Sequence, residues 1–219
     1  MPDQDSVSFA CLGVIAFMAS TFAVQANICD DAAQKAAVRS TVPVDVLLTI
    51  TRLETGRGDT AEPWPWAVNQ AGNGTWFNSE DDARSFVFSE IKAGKKNIDI
   101  GCFQINYRWH AEEFRSLDDM FDPYQNALYA AEFLTQLHDE FGSWEDAAGA
   151  YHSRTPEFGK KYQAKFRQYR ANVEQLDLPP PTRRSEAVTQ PRIVAVRGAG
   201  SLFIDRSNGL PFIDIGRIK

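Results

Sequence analysis

The chain has 219 residues, of which 43% are hydrophobic and 12% aromatic, so it can bury a core and is not disordered throughout. Its formal net charge is −6 at pH 7. A general nucleic-acid binding protein needs a basic surface, and this composition argues against that class.

The first 26 residues have the pattern of an export signal. Residues 6–26 carry no charge and end in the triplet VQA, which fits the small-x-small cleavage site of signal peptides. Residues 1–5 contain two acids and no Lys or Arg, which is unusual for such a signal. We predict a cleaved signal peptide over 1–26, and a retained membrane anchor is the alternative. Either reading places the bulk of the protein outside the cytoplasm, and we expect a periplasmic location.

The predicted cleavage determines which cysteines remain in the mature protein. Cleavage after Ala26 removes Cys11 and leaves Cys29 and Cys102. Two thiols in an oxidising compartment favour one disulfide bond. Two separate buried thiols are the alternative.

Helix signals dominate the rest of the chain, and we predict a mainly α fold of the α+β type. Residues 57–78 contain three tryptophans together with Pro, Gly and Asn, which indicates an irregular hairpin or loop region. Residues 97–106 are predicted as loop or short strand. Helix caps and apolar spacing predict helices over 29–40, 43–55, 79–94, 122–141, 143–152 and 156–176.

The C-terminal part differs in character. Three prolines make 178–184 a linker, because proline cannot continue a helix. Residues 179–219 hold seven basic and three acidic residues, a charge of +4, whereas 27–178 hold sixteen and twenty-four, a charge of −8. We therefore predict one helical domain over 27–177 and a basic tail, strand-prone or disordered, over 185–219.

Glu54 is the first candidate for chemistry. In a regular helix it shares a face with Ile50 and Leu47, so its carboxyl lies on the buried side. Burial and the negative helix C-terminus both raise the pKa of a carboxyl. A carboxyl that keeps its proton near neutral pH is suited to general acid catalysis. The alternative is a structural glutamate bonded to the backbone, Arg52 or Arg57.

Three motifs in order carry a family resemblance: LETG (53–56), GCFQIN (101–106) and GAYHS (149–153). They resemble the glutamate, Q-I-N and A-Y-N motifs of lytic transglycosylases of the soluble-lytic type (SLT, family 1). The stretch 63–77 is similar to an extended segment of the periplasmic and secretion-associated members. The resemblance covers about residues 28–172. It implies a goose-lysozyme-like fold and a catalytic domain that cleaves peptidoglycan.

The resemblance also implies roles for individual residues. Glu54 matches the single catalytic acid/base, and Tyr151 is expected to hydrogen-bond or orient it. His152 replaces the usual Asn and titrates, so it predicts a pH dependence of activity near about 6.5. Aromatic rings stack on sugars, and Trp66 and Trp76 are the first choices for this. The other expected substrate-binding residues are Thr55, Gln104, Ile105 and Asn106, with Asn106 bracing its loop.

The implied reaction cuts the MurNAc-GlcNAc β-1,4 bond and closes a 1,6-anhydroMurNAc ring with one carboxyl. A two-carboxylate muramidase needs a second acid about 5–10 Å away. Asp59 and Asp99 are the candidates, and we interpret both as structural. A hydrolytic muramidase and a non-catalytic wall-binding scaffold are the alternatives.

No cofactor or metal is expected, because the spacing of His110, His138 and His152 matches no ligand pattern. The expected partners are peptidoglycan glycan strands and, through 179–219, an envelope machine such as a flagellar rod or a secretion channel. Nucleic acid is not expected, and a membrane is expected only if the N-terminal segment is retained.

Overall fold

The ends of the helices are set by local caps. In the computed structural model, which describes residues 20–59, 61–173 and 176, the Ser79 and Ser143 hydroxyls each accept a hydrogen bond from a backbone N–H three residues on. In front of Pro123, the Asp122 carboxylate likewise accepts a hydrogen bond from a backbone N–H three residues on. Gly142 ends that helix in the left-handed conformation, with φ 83°. The predicted helices that begin at these caps are confirmed. The eight α-helices within the described residues are α1 Ser20–Arg39, α2 Val44–Thr55, α3 Glu80–Lys92, α4 Tyr107–His110, α5 Leu117–Phe121, α6 Pro123–Phe141, α7 Trp144–His152 and α8 Pro156–Val173.

Three features differ from the prediction. Helix α1 begins at Ser20, nine residues before the predicted start at residue 29. The short helices α4 and α5 were not predicted, because four or five residues carry no readable helical period. The last helix ends at Val173, three residues before the predicted end. The predicted linker, basic tail and most of the predicted signal peptide lie outside the described residues, and the predicted cleavage point after Ala26 lies within α1.

A small antiparallel sheet interrupts the helices in the order β2-β1-β3-β4. Its strands are β1 Ala67–Gln70, β2 Asn73–Trp76, β3 Ile98–Ile100 and β4 Ile105–Asn106. The predicted hairpin is confirmed, with Ala71 and Gly72 both at positive φ in a two-residue turn whose twist suits antiparallel strands.

Helix α2 lies at the centre of the domain, where it contacts both α1 and α8. Nine of its twelve residues are buried. The predicted Cys29–Cys102 disulfide is confirmed, with a Cα–Cα distance of 5.5 Å, and it joins α1 to the loop between β3 and β4. No helix in the described part of the chain is long and apolar enough to cross a bilayer.

Candidate functional site

Glu54 lies in the last turn of α2 and is 4% exposed, as its helical face predicts. Ile50 and Leu47, on the same face, are fully buried. The helix ends at Thr55, and a Cβ atom on the next residue, Gly56, would collide with the carbonyl oxygen of Arg52. A glycine at this position therefore lets the chain turn away directly beyond the buried carboxyl.

Tyr162 of α8 is the hydrogen-bond partner of Glu54. Its hydroxyl donates to Glu54 Oε1 at 2.7 Å, and the Tyr162 side chain is itself buried. Glu54 Oε2 has no hydrogen-bond partner among the described residues. Tyr151, which the sequence predicted for this bond, donates instead to the carbonyl oxygen of Phe103 at 2.7 Å. The expected hydrogen bond from Tyr151 to Glu54 is therefore not made, whereas the expectation that Tyr151 orients Glu54 stays a prediction.

Neither neighbouring arginine neutralises Glu54. Arg52 makes two hydrogen bonds to the Asp30 carboxylate, at 2.7 and 3.0 Å. The Arg57 guanidinium lies over the Trp64 ring, 4.2 Å from its centroid. The alternative of a glutamate paired with one of these arginines is therefore wrong.

The pKa of Glu54 is raised to about 8, chiefly by burial; the hydrogen bond from Tyr162 lowers the pKa and the Asp99 carboxyl raises it by smaller amounts. At neutral pH the carboxyl therefore holds its proton. With Oε1 accepting from Tyr162, that proton is placed on Oε2.

A small pocket lies against Glu54. Glu54 is the only carboxyl among the described residues that line it. The lining is otherwise polar and aromatic, and consists of Glu54, Gln104, Ile105, Asn106, His110, Phe133, Tyr151 and His152.

Gln104 forms one wall of this pocket in an unusual backbone conformation, with φ +48°. Its side-chain Nε2 donates to the carbonyl oxygens of Ala67 and Gly101, both at 3.0 Å. Its Oε1 is buried without a hydrogen-bond partner among the described residues, which leaves an acceptor for a ligand hydroxyl or amide.

The loop that carries Gln104 is held from three sides. Asn126 of α6 accepts a hydrogen bond from the Phe103 N–H at 2.9 Å and donates to the Ile100 carbonyl oxygen at 3.0 Å. Tyr151 donates to the Phe103 carbonyl oxygen, and the disulfide fixes Cys102. These contacts hold the loop in a single conformation, and they stabilise Gln104 at a positive φ that a non-glycine residue rarely adopts.

Asp99 supports the site from behind the pocket, which it does not line. Its two oxygens accept hydrogen bonds from Asn106 Nδ2 at 2.7 Å and Asn69 Nδ2 at 2.8 Å. Burial raises its pKa to about 7. Asn106 also accepts from the Arg108 N–H at 3.0 Å, so it braces the loop as the sequence predicted.

A family model, the transglycosylase SLT domain, matches residues 31–173. The chain belongs to this family. A search of curated proteins and a search of solved structures each found no match to the chain. As a member of the family, the protein is a lytic transglycosylase that acts on peptidoglycan.

Three of the predicted substrate contacts do not line the pocket of this SLT domain. Thr55 is fully buried, and its hydroxyl donates to the Thr51 carbonyl oxygen at 2.9 Å and accepts from the Trp64 N–H at 3.1 Å. Trp66 is buried in the core, and Trp76 Nε1 donates to the Thr55 carbonyl oxygen at 3.0 Å. These residues join the end of α2 to the hairpin, and their contact with the substrate stays a prediction.

His152 of the SLT domain lines the pocket and stacks on Tyr162, with ring centroids 4.4 Å apart. The pKa of this half-buried imidazole is lowered to about 4, chiefly by desolvation and to a smaller extent by the Lys165 ammonium. This shift argues against the predicted titration near pH 6.5, because desolvation favours the neutral imidazole.

Tyr162, His110 and Phe133 are site residues that the sequence analysis missed. Tyr162 shares a helix face with Phe166 and Tyr169, a spacing that is indistinguishable from ordinary core packing. His110 Nδ1 lies 2.7 Å from the Tyr129 hydroxyl, and burial lowers its pKa to about 4. The described residues contain no cluster of His, Cys, Asp and Glu that could hold a metal ion.

Proposed function

We propose that Glu54 is the single catalytic acid and base of this lytic transglycosylase, and that the reaction closes a 1,6-anhydroMurNAc ring at the MurNAc-GlcNAc β-1,4 bond. One observation carries the proposal. The pocket holds one carboxyl, and that carboxyl is protonated at neutral pH with Oε2 available.

In the proposed first step, Glu54 Oε2 donates its proton to the glycosidic oxygen as the bond from C1 of MurNAc breaks. The carbonyl oxygen of the substrate's N-acetyl group supports the developing positive charge at C1. In the second step the Glu54 carboxylate removes the proton from the C6 hydroxyl, whose oxygen attacks C1. The carboxylate is protonated again, and no water is consumed.

Tyr162 stabilises the intermediate state of the enzyme in this scheme. Once Glu54 has given up its proton, the buried carboxylate still accepts the Tyr162 hydrogen bond at Oε1. A hydrogen bond to a charged group is stronger than one to a neutral group. Tyr162 is therefore a positioning residue that favours proton release.

The product distinguishes this reaction from hydrolysis. Purified sacculi are incubated with the protein, and the released muropeptides are weighed by mass spectrometry. We expect products lighter by one water than those of a muramidase. Glu54→Gln is expected to bind sacculi and release nothing, whereas the control Glu62→Gln, outside the pocket, is expected to keep activity. Equal release by wild type and Glu54→Gln refutes the assignment.

Substitution of Asp99 tests whether the reaction uses a single catalytic carboxyl. Both of its oxygens accept side-chain amide hydrogen bonds, so neither is free to activate a water. We expect Asp99→Asn to weaken activity through the displaced Asn106 and to leave the anhydro product unchanged. Loss of activity as complete as that of Glu54→Gln contradicts the scheme and favours a second catalytic acid.

We also propose that the protein is exported to the periplasm. The uncharged segment 6–26 and the disulfide, which suits an oxidising compartment, support this proposal. Cell fractionation and the mass of the recovered protein test it. A chain that begins at Asn27 indicates cleavage, and a full-length chain in the membrane fraction indicates the anchor.

The basic tail supports a further part of the proposal, that the enzyme opens the wall for an envelope machine such as a flagellar rod or a secretion channel. Residues 179–219 carry a charge of +4 behind an acidic domain. A pull-down from envelope extracts with the full chain and with a chain lacking 179–219 tests it. Identical captured proteins refute a role for the tail.

A further inference from the structure

A second, shallow pocket with mostly exposed lining residues lies beside the sheet, and we call it the cationic pocket. The end of β1, the connection between α3 and β3, and helix α4 contribute to it. Its lining residues are polar or positively charged, and they are Gln70, Gly94, Lys95, Lys96, Asn97 and Arg108.

The positive charge of this pocket is only partly neutralised. Lys95 pairs with the Glu90 carboxylate at 2.7 Å. Lys96 and the Arg108 guanidinium have no carboxylate partner among the described residues, and Arg108 instead lies over the exposed Trp109 ring, 4.7 Å from its centroid. The cluster stands out because residues 27–178 together carry a charge of −8.

The cationic pocket adjoins the catalytic pocket through a single side chain. Asn106 lines the catalytic pocket, and its Nδ2 donates to Asn97 Oδ1 at 2.9 Å. Asn97 lines the cationic pocket, and Arg108 follows Asn106 by two residues. The hydrogen-bonded side chains of Asn106 and Asn97 therefore connect the two pockets.

The chemistry of peptidoglycan supplies a matching group. Each muramic acid carries a short peptide on its lactyl ether, and this peptide bears carboxylates. An extended peptide advances about 3.3–3.6 Å per residue, so a stem of a few residues extends well beyond the sugar that carries it. Lys and Arg pair with carboxylates, and the amides of Gln70 and Asn97 are matched to peptide groups.

We propose that the cationic pocket binds the carboxylates of the substrate's peptide stems, so that the enzyme prefers glycan strands that carry charged stems. Lys96 and Arg108 supply the charge, and Asn97 and Gln70 supply the hydrogen bonds. This inference rests on the proposed function, in which the glycan is cut against Glu54 in the adjoining pocket.

The test compares three substrates for the full chain: strands with native stems, strands whose stem carboxylates have been converted to amides, and strands stripped of stems by an amidase. The amidated strands keep the size of the stem and remove its charge. From two exposed ion pairs we expect kcat/KM on native stems to exceed that on amidated stems by about fivefold. Added salt should reduce this ratio, because exposed charges are screened.

Two variants report on the pocket itself. Lys96→Ala/Arg108→Ala is expected to bring the native-to-amidated ratio close to one, and Lys96→Glu to lower the ratio as well by reversing one charge. The control Arg39→Ala/Lys160→Ala removes two exposed cations elsewhere on the domain and is expected to keep the ratio.

The proposal is overturned if wild type shows no preference for charged stems, or if the Lys96→Ala/Arg108→Ala variant keeps the wild-type ratio. Failure of the proposed function gives a different result. In that case Glu54→Gln remains active, or no substrate yields an anhydro end, whatever the state of the stems.

Discussion

Replacing Tyr162 by Phe tests how the site controls its proton. The hydroxyl donates to Glu54 Oε1 at 2.7 Å between two buried side chains. This hydrogen bond lowers the pKa of Glu54 against the larger effect of burial, and the pKa stands at about 8. Removing the hydroxyl leaves the carboxylate without its donor, so the variant's Glu54 has a higher pKa than that of wild type.

The size of the effect follows from the hydrogen bond. A hydrogen bond to a charged group contributes about 1.5–3 kcal/mol, and one pKa unit corresponds to about 1.4 kcal/mol. We therefore expect the Glu54 pKa to rise by about one to two units. The same loss destabilises the carboxylate that forms after proton donation, so kcat is expected to fall about 10- to 100-fold.

The assay is the pH profile of kcat on purified glycan strands between about pH 5 and 10. A group that must be protonated loses activity as pH rises through its pKa, so the alkaline limb of Tyr162→Phe is expected at higher pH than that of wild type. Tyr169→Phe, on the same helix and packed against the core, is the control and should leave the limb in place. An alkaline limb that stays fixed or moves to lower pH in Tyr162→Phe refutes the reasoning.

Three further perturbations follow from the same contacts. Because the pKa of Glu54 is raised from 4.5 to about 8, the folded state keeps a proton that the unfolded state releases between these pH values. In urea unfolding at pH 5 and pH 8, the free energy of unfolding of wild type should therefore fall with pH by about 1.4 kcal/mol per pH unit more than that of Glu54→Gln. Parallel pH dependences of the two proteins contradict this. His152→Asn should leave the shape of the pH profile between about pH 5.5 and 7.5 unchanged, since the imidazole, with a pKa of about 4, is neutral throughout; an inflection present only in wild type counts against it. The Cys29–Cys102 disulfide joins residues 73 apart in sequence, so its loss should lower the free energy of unfolding by about 4 kcal/mol. Urea unfolding of the variant with both cysteines replaced by serine measures this. An unchanged midpoint of urea unfolding argues that the bridge does not constrain the unfolded chain.

The cationic pocket adds a second level of selectivity to these predictions. The acid at Glu54 acts on every MurNAc-GlcNAc bond in the proposed scheme, whereas Lys96 and Arg108 distinguish strands by the charge of their stems. In the two proposals, proton transfer and stem recognition meet at Asn106, whose Nδ2 donates to both Asp99 Oδ1 and Asn97 Oδ1. Substitutions at Asn106 are therefore expected to affect both kcat and the preference for stems, and this separates it from residues that act on one property alone.

Much of the scaffold could be predicted from the sequence, because the interactions that decide it are local. Ser79, Asp122 and Ser143 cap their helices through bonds that span three residues. The burial of Glu54 follows from the apolar spacing of one helix, and the resemblance added Gln104 as a residue of the site. An even count of cysteines predicted the disulfide.

Only the tertiary structure shows which group hydrogen-bonds to the Glu54 carboxyl and what raises or lowers its pKa. The Tyr162 hydroxyl reaches Glu54 across 108 residues of sequence, and only the packing of α8 against α2 determines that Tyr162 rather than Tyr151 makes this bond. The same packing buries His152 and keeps it neutral. Helix caps and hydrophobic periodicity involve residues a few positions apart, so they can be read from the sequence. The hydrogen-bond partner and pKa of a buried side chain depend instead on which groups, distant in sequence, the fold places around it.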